Sequence, residues 1–351
     1  MLTNKPGLGY AGTYTRKEPH VKGEAPGFYE LTVDQNTGKL RIRNIVSGLI
    51  NPSYLTVSSD GRNLYVVEEL NDGRVVGFEI DQVSGPRKIG HWNTGSGATC
   101  HITSDQSDTY VAASNYLGGF VNLFRREVGG KLVEVQRIDL NPVEAKALKS
   151  HPHSTVFSPD NRYVFVPDLG LDRIWCFSFN ELTSRFLPTE QVYLEVDTGS
   201  GPRHMTFHPK LPFAYLINEM SSSLIAMDYE RESGRLSIRQ TVRTVPADYG
   251  GRNDGADVHV HPGGKLIYAS NRGHDSLYCA RIKENGDLKT VGYLSTLGEE
   301  PRAFCISKDG HFLYVANQNT DNIVQFRINT TTGELEKIDE LELLTPVCLS
   351  L

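Results

Sequence analysis

Apolar and polar positions alternate along this chain in short runs, and the runs come in pairs. From Gly201 to Glu219 the sequence GPRHMTFHPKLPFAYLINE breaks at Gly-Pro and alternates through His204 to His208. It turns at Pro209 to Pro212 and alternates again from Phe213 to Ile217, before Asn218-Glu219. Period-two alternation on both sides of a Pro-rich turn predicts an antiparallel hairpin. The start of its first strand and the end of its second then lie at one end. Arg203, His204 and Glu219 are therefore expected to be neighbours, although sixteen positions separate Arg203 from Glu219.

The hairpin has copies: NPSYLTVSSDGRNLYVVEE from Asn51, HPHSTVFSPDNRYVFVPD from His151, ADVHVHPGGKLIYASNR from Ala256 and EPRAFCISKDGHFLYVANQ from Glu300. A weaker copy, ATCHITSDQSDTYVAASN, starts at Ala98. Equivalent positions 52, 98, 152, 202, 255, 301 and 346 are 46, 54, 50, 53, 46 and 45 residues apart. After each hairpin comes another alternating strand, such as Ile174 to Ser178. A Gly turn follows, such as Ser233-Gly234, and then a fourth strand, such as Leu236 to Thr241. Four antiparallel strands in a repeat of this length predict the blade of an all-β, seven-bladed β-propeller.

The first copy lacks its first strand, because Gly9 to Tyr14 reads as a second strand with Phe28 to Val33 and Leu40 to Ile45 behind it. Thr345 to Leu351 has the pattern of a first strand. The C-terminal segment is thus expected to complete the first blade, leaving no free edge, and residues 1–351 form one domain. Pro142 to Lys149 is the only candidate helix. Thr15 to Pro26, Pro142 to Ser150 and Pro246 to Asp254 are long connections expected on the face that carries Arg203 and Glu219, as loops over a ligand site would be.

Composition narrows the function classes. A net charge of −6 argues against generic binding of nucleic acid or acidic membrane surfaces. No apolar run of about 18 residues exists, and the N-terminus lacks the apolar stretch of a secretory signal, so the expected location is cytoplasmic. Five scattered cysteines, none in a CxxC pair, read as reduced and mostly buried. A catalytic thiol among them is left open. The chain has no GxSxG, GxxxxGK[ST] or HExxH motif.

Candidate chemistry lies where the repeats differ. First strands line the channel, so their starting residues ring its mouth: Ser53, Thr99, His153, Arg203, Ala256, Arg302 and Val347. The ends of second strands form a neighbouring ring: Glu68-Glu69, Ser114-Asn115, Asp168, Asn218-Glu219, Asn271-Arg272 and Asn317-Gln318. Asn and Asp there suit turns and inter-blade hydrogen bonds. The departures are His153, Arg203, His204, Glu219, Asp257, Arg272 and Arg302. Each has two readings. Arg203 forms an inter-blade ion pair or binds an anion, for which its fork is suited. Glu219 is its partner or a catalytic base, and His153 is structural or a proton donor. A hard-cation site from Glu68, Asp168, Asn218 and Asn271 is conceivable, although three arginines near the same mouth oppose it. His208 and His261 sit at the far hairpin end as turn residues.

Nearly end to end, the chain resembles the seven-bladed propeller lactonases, which include propeller-type 6-phosphogluconolactonases and, more distantly, carboxymuconate-lactonizing cyclases. The resemblance is carried by His153-Ser154 ahead of SPDNR, Gly201-Pro202-Arg203-His204-Met205, Asn218-Glu219, Ala256-Asp257-Val258-His259, Arg272 and Pro301-Arg302. It implies a metal- and cofactor-independent sugar lactonase acting on a small anionic lactone. The expected substrate is 6-phospho-D-glucono-1,5-lactone of the pentose phosphate pathway. The implied catalytic residues are His153, Glu219, Arg203 and Arg272. His204, Asp257 and Arg302 are expected to bind and position the substrate. Glu219 would activate water and His153 would protonate the leaving oxygen. The expected state is a monomer or weak homodimer. The alternatives are a cycloisomerase on a carboxylated muconate and a non-catalytic binding scaffold.

Overall fold

The second strand of each repeat is a short, almost wholly apolar run, which suits a strand covered on both faces. In the computed structural model, which describes residues 7–19, 21–95, 97–142 and 148–351, these runs are buried throughout, as in Phe213–Asn218 and Phe312–Asn317. Fourth strands such as Leu288–Ser295 alternate between exposed and part-buried residues and form the outer rim. Seven four-stranded antiparallel sheets result, in sequence order from the channel outwards. The exception is blade one, whose inner strand is Pro346–Ser350 paired with Gly7–Thr13. The ring is closed as the alternation predicts.

Among the described residues no ladder joins one blade to the next. The core instead lies in the seams, one apolar cluster between each pair of neighbouring blades. Side-chain bonds to backbone stitch the same seams. Tyr215 donates to Gly286 O at 3.1 Å and Tyr268 to Gly333 O at 3.0 Å. His208 and His261 sit in the hairpin turns and contact the carbonyls of Gly264 and Gly310 across the seam at 2.8 and 2.9 Å. Asn271 and Asn317 donate to Thr244 O and Thr296 O of the preceding blade, at 2.7 and 3.1 Å.

Six of the seven inner strands start irregularly. The register slips between Thr99 and His101, Pro202 and His204, Gly255 and Val258, and Pro301 and Ala303. It slips likewise opposite Gly12/Thr13, where Pro346 and Cys348 are paired and Val347 is not. In blade four Pro152 bridges Asp168, and the ladder resumes only at Val156. A β-bulge leaves one residue unpaired and re-aims its side chain. Here the re-aimed residues are Cys100, His153, Arg203, Arg302 and Val347. Before the bulge, Asn51, Ala98, Gly201, Glu300 and Thr345 all have positive φ, between 45 and 67°.

This geometry corrects the expected register of blade three. Thr99 pairs with Asn115 as Pro202 pairs with Asn218, so the mouth residues there are Cys100 and Tyr116, one position later than expected. The weak copy lacks the proline that marks the bulge elsewhere. Residues 143–147 of the candidate helix lie outside the described residues, and Pro142, Leu148 and Lys149 are not helical.

Gln240 tests the seams. Its amide donates to Leu288 O at 3.2 Å and accepts from Leu288 N at 2.7 Å, clamping the next blade's outer strand. Gln240→Ala leaves both backbone groups unpaired in a part-buried seam. It is expected to lower unfolding stability by about 1–3 kcal/mol, read from the urea midpoint.

Candidate active site

Over the channel mouth lies a cavity of about 440 Å³, walled by Tyr116, His153, Glu219, Arg272, Glu300 and Arg302 among others. It is built in tiers. The ends of five second strands supply the upper tier, with Glu69, Tyr116, Glu219 and Gln318 just after their strands and Arg272 as the last residue of its own, all lining the cavity. The bulged residues form the tier below. One step further along the inner strands lie Tyr54, His101, His204 and Asp257, in mutual contact through their rings and bonds.

Glu219 is the hub of the wall. Its Oε2 accepts from Arg203 Nε at 2.9 Å and faces Arg272 Nη2 at 3.0 Å. Its Oε1 has no hydrogen-bond partner among the described residues. Burial pushes the Glu219 carboxyl up, but Arg272, Arg203 and Arg302 outweigh burial and hold it below its ordinary value. Arg203 is 2% exposed and also donates to Ala256 O. Burial, then Arg272 and Arg302, draw it down to about 10. It lines the narrow passage under the cavity instead of the cavity itself. It is an ion-pair partner of Glu219 within its own blade, and its bond to Ala256 O crosses to the next.

Arg302 is placed differently. Its Nη2 donates to Tyr14 OH at 3.2 Å, and its guanidinium lies 5.6 Å from the centre of the Tyr14 ring. Tyr14 in turn donates to Glu69 Oε2 at 2.9 Å. Among the described residues no carboxylate reaches Arg302 at ion-pair distance, so its charge is turned to the cavity. At the outer lip, Arg252 is occupied by Asp254 and stands 3.9 Å from Glu300.

His153 is 6% exposed. Burial, then Arg203, His204 and the other arginines, push its imidazole well below the usual histidine range, so it is neutral at physiological pH. An uncharged imidazole is suited to accept a proton before it donates one, so the expected role as proton donor needs a prior step as base. The ring can accept a proton and then return it. His204 and Asp257 line no part of the upper cavity, so direct substrate contact by these two is not what the geometry offers. His204 Nδ1 lies 3.0 Å from Asp257 Oδ1, and His259 Nε2 lies 3.1 Å from Oδ2.

The remaining sequence candidates are structural. Glu68 pairs with Arg74 at 3.1 Å and accepts from Ile50 N. Asp168 accepts from Ser150, His151 and Trp175. Asn218 bonds Ser223, and Asn271 is used at its seam. These four therefore do not form a cation site. Cys100 reaches the cavity, and burial raises its thiol far above the ordinary value, which disfavours a thiolate nucleophile. Tyr116 and Glu300 are cavity residues that the repeat pattern did not single out, while Glu69 lines the cavity from the ring it did name. The corrected register would have found Tyr116, since it occupies the position of Glu219.

Removing the hub charge has a definite cost. Glu219→Gln leaves Arg203 buried without a carboxylate, and an expected loss of about 3–5 kcal/mol follows at neutral pH. Because the folded carboxyl is depressed, its stabilisation is present above the unfolded value of about 4.3 and fades as pH falls through the lower folded value. Urea unfolding of both proteins across pH 3–7 should show the gap closing only at the acid end.

The family model described as "Lactonase, 7-bladed beta-propeller" matches residues 8–351. A Bacillus subtilis protein named 6-phosphogluconolactonase is 31% identical over 97% of both chains. A Formosa agariphila protein of the same name is 34% identical over 94% of this chain and 95% of its own. The solved structure of the Pseudomonas aeruginosa periplasmic gluconolactonase superposes with a TM-score of 0.89 at 28% identity, over 98% of this chain and 99% of that one. With the closed seven-bladed ring and the cavity at its mouth, these findings show that the chain belongs to the seven-bladed β-propeller lactonases, carboxylic-ester hydrolases that open lactone rings.

Proposed function

We propose that this chain is a sugar lactonase that hydrolyses 6-phospho-D-glucono-1,5-lactone to 6-phosphogluconate. The relatives bearing that activity in their names support the lactone. Arg302 carries the choice of an anionic one, because it offers the cavity a charged fork that no carboxylate of the described chain takes up.

In this reading Arg302 holds the phosphate and Arg272, on the next wall, faces the lactone carbonyl oxygen as it becomes an oxyanion. Glu219 Oε1 accepts a hydrogen bond from the attacking water and so aims it. Its two arginine contacts make it a weak base but a fixed acceptor. His153 takes the water proton as the oxygen bonds to C1. When the C1–O bond of the ring breaks, the same proton passes from His153 to the leaving alkoxide. Atoms balance: one water and one lactone give one hydroxy acid. Arg203 serves by holding Glu219.

The test is hydrolysis of freshly generated 6-phosphogluconolactone beside the unphosphorylated lactone, with spontaneous opening subtracted. Wild type should prefer the phosphorylated substrate, and Arg302→Ala should lose that preference by on the order of 10²-fold in kcat/KM. Equal activity on both lactones would keep the lactonase and remove the phosphate. No acceleration of either would point to the cycloisomerase. His153 adds a pH signature. Protonation disables it, and its folded value lies below the ordinary 6.5, so kcat/KM should stay level from pH 7 to below pH 6. A decline centred near 6.5 would contradict its assignment as the base.

A further inference from the structure

Beneath the cavity the channel narrows to a neck of about 10 Å³, lined by Ser53, Glu69, Arg203, Arg302 and the rings of His153 and His204 among others. Two ring nitrogens at this neck, His153 Nδ1 and His204 Nε2, are fully buried and have no hydrogen-bond partner. The ring centres are 5.3 Å apart at an interplanar angle of 66°, and no direct bond joins them. A buried polar atom normally finds a partner, and a polar void of about 10–15 Å³ on this measure holds one water.

We propose that the neck holds one fixed water bridging His153 Nδ1 to His204 Nε2, and that His204 and Asp257 act through it as positioning residues for His153. The proposal rests on the lactonase reading only for the use made of His153. The bridge itself follows from the direction of each hydrogen bond. Asp257 is an ionised acceptor whose Oδ1 accepts hydrogen bonds from His204 Nδ1–H and Val258 N–H, while Oδ2 accepts from His259 Nε2–H and Phe304 N–H. Both oxygens are saturated, so Asp257 fixes His204 in the Nδ1–H form. Burial and then Arg203 keep that imidazole uncharged, lowering it to about 4 against the pull of Asp257.

Neutral His204 therefore presents a bare Nε2 to the neck. The water donates to that nitrogen and accepts from His153 Nδ1–H. His153 is then left with its unprotonated Nε2 toward the cavity, which is the form a base needs. The opposite tautomer of His153 would have the bridging water donate to both ring nitrogens and would present an N–H to the attacking water, so the use of His153 as base requires the first arrangement. No proton travels along this chain during the reaction. It holds the base-competent tautomer in place before the reaction starts.

The experiment is ring-nitrogen NMR of the full chain labelled with ¹⁵N-histidine, combined with lactone kinetics. Wild type should show His153 and His204 both as Nδ1–H tautomers. His204→Phe keeps a ring in place but removes the acceptor. It should give a mixed His153 tautomer and a kcat lower by on the order of 10²-fold, with KM within about twofold. His204→Gln, whose amide oxygen can accept in place of Nε2, should recover much of the loss. An Nε2–H tautomer for His153 in wild type would overturn the proposal, as would a folded His204→Phe with full kcat. If His204→Phe does not fold, the wild-type tautomer decides alone. Wild type without activity on any lactone would sink the lactonase reading, while the tautomers would still test the bridge.

Discussion

Seven sheets that share no ladder must be held in a ring by their faces, and the structure depends on that constraint. Each seam is an apolar layer crossed by a few side chains that bond backbone on the far side, such as Tyr215, Gln240 and Asn271. A ring of such seams has no redundancy. If one opens, both flanking blades expose a whole apolar face, and the channel loses its shape at once. The pairing of Gly7–Thr13 with Pro346–Ser350 is the one place where a ladder joins the two ends of the described chain.

The site is a by-product of how those blades begin. Bulges at the heads of most inner strands turn a residue to the axis, and in five blades a residue at the end of the second strand stands above it. Chemistry can then be placed at two positions per blade while the apolar strands stay as they are. The selected residues are interlocked across blades. Glu219 of blade five is shared by Arg203 of its own blade and Arg272 of the next. His153 of blade four is kept neutral by its burial and then by charges that include arginines from blades five to seven.

Much of this was legible in the sequence. The repeat, the closing strand and the proximity of Arg203 to Glu219 follow from alternation and Pro-rich turns, which are local signals. Blade three was misplaced by one residue because Ala98-Thr99 carries no proline to mark the bulge, and that slip concealed Cys100 and Tyr116. Depth was not legible either. Arg203, His204 and Asp257 look like mouth residues in one dimension, but successive residues of an inner strand descend the channel, and only the first few meet the cavity. The state of His153 escaped the sequence for another reason: it depends on charges brought from three other blades.

One contact carries a consequence for how the protein is made. Arg302 leans on Tyr14, which directly follows the strand paired with Pro346–Ser350, and Val347 lies in the neck beside Arg302. During translation Tyr14 leaves the ribosome long before either partner, and it waits without the wall it belongs to. Six blades can assemble in order as they emerge, but the pocket exists only once the last strand is threaded home. A stalled or truncated nascent chain would therefore hold most of the fold without the strand that closes this side of the pocket.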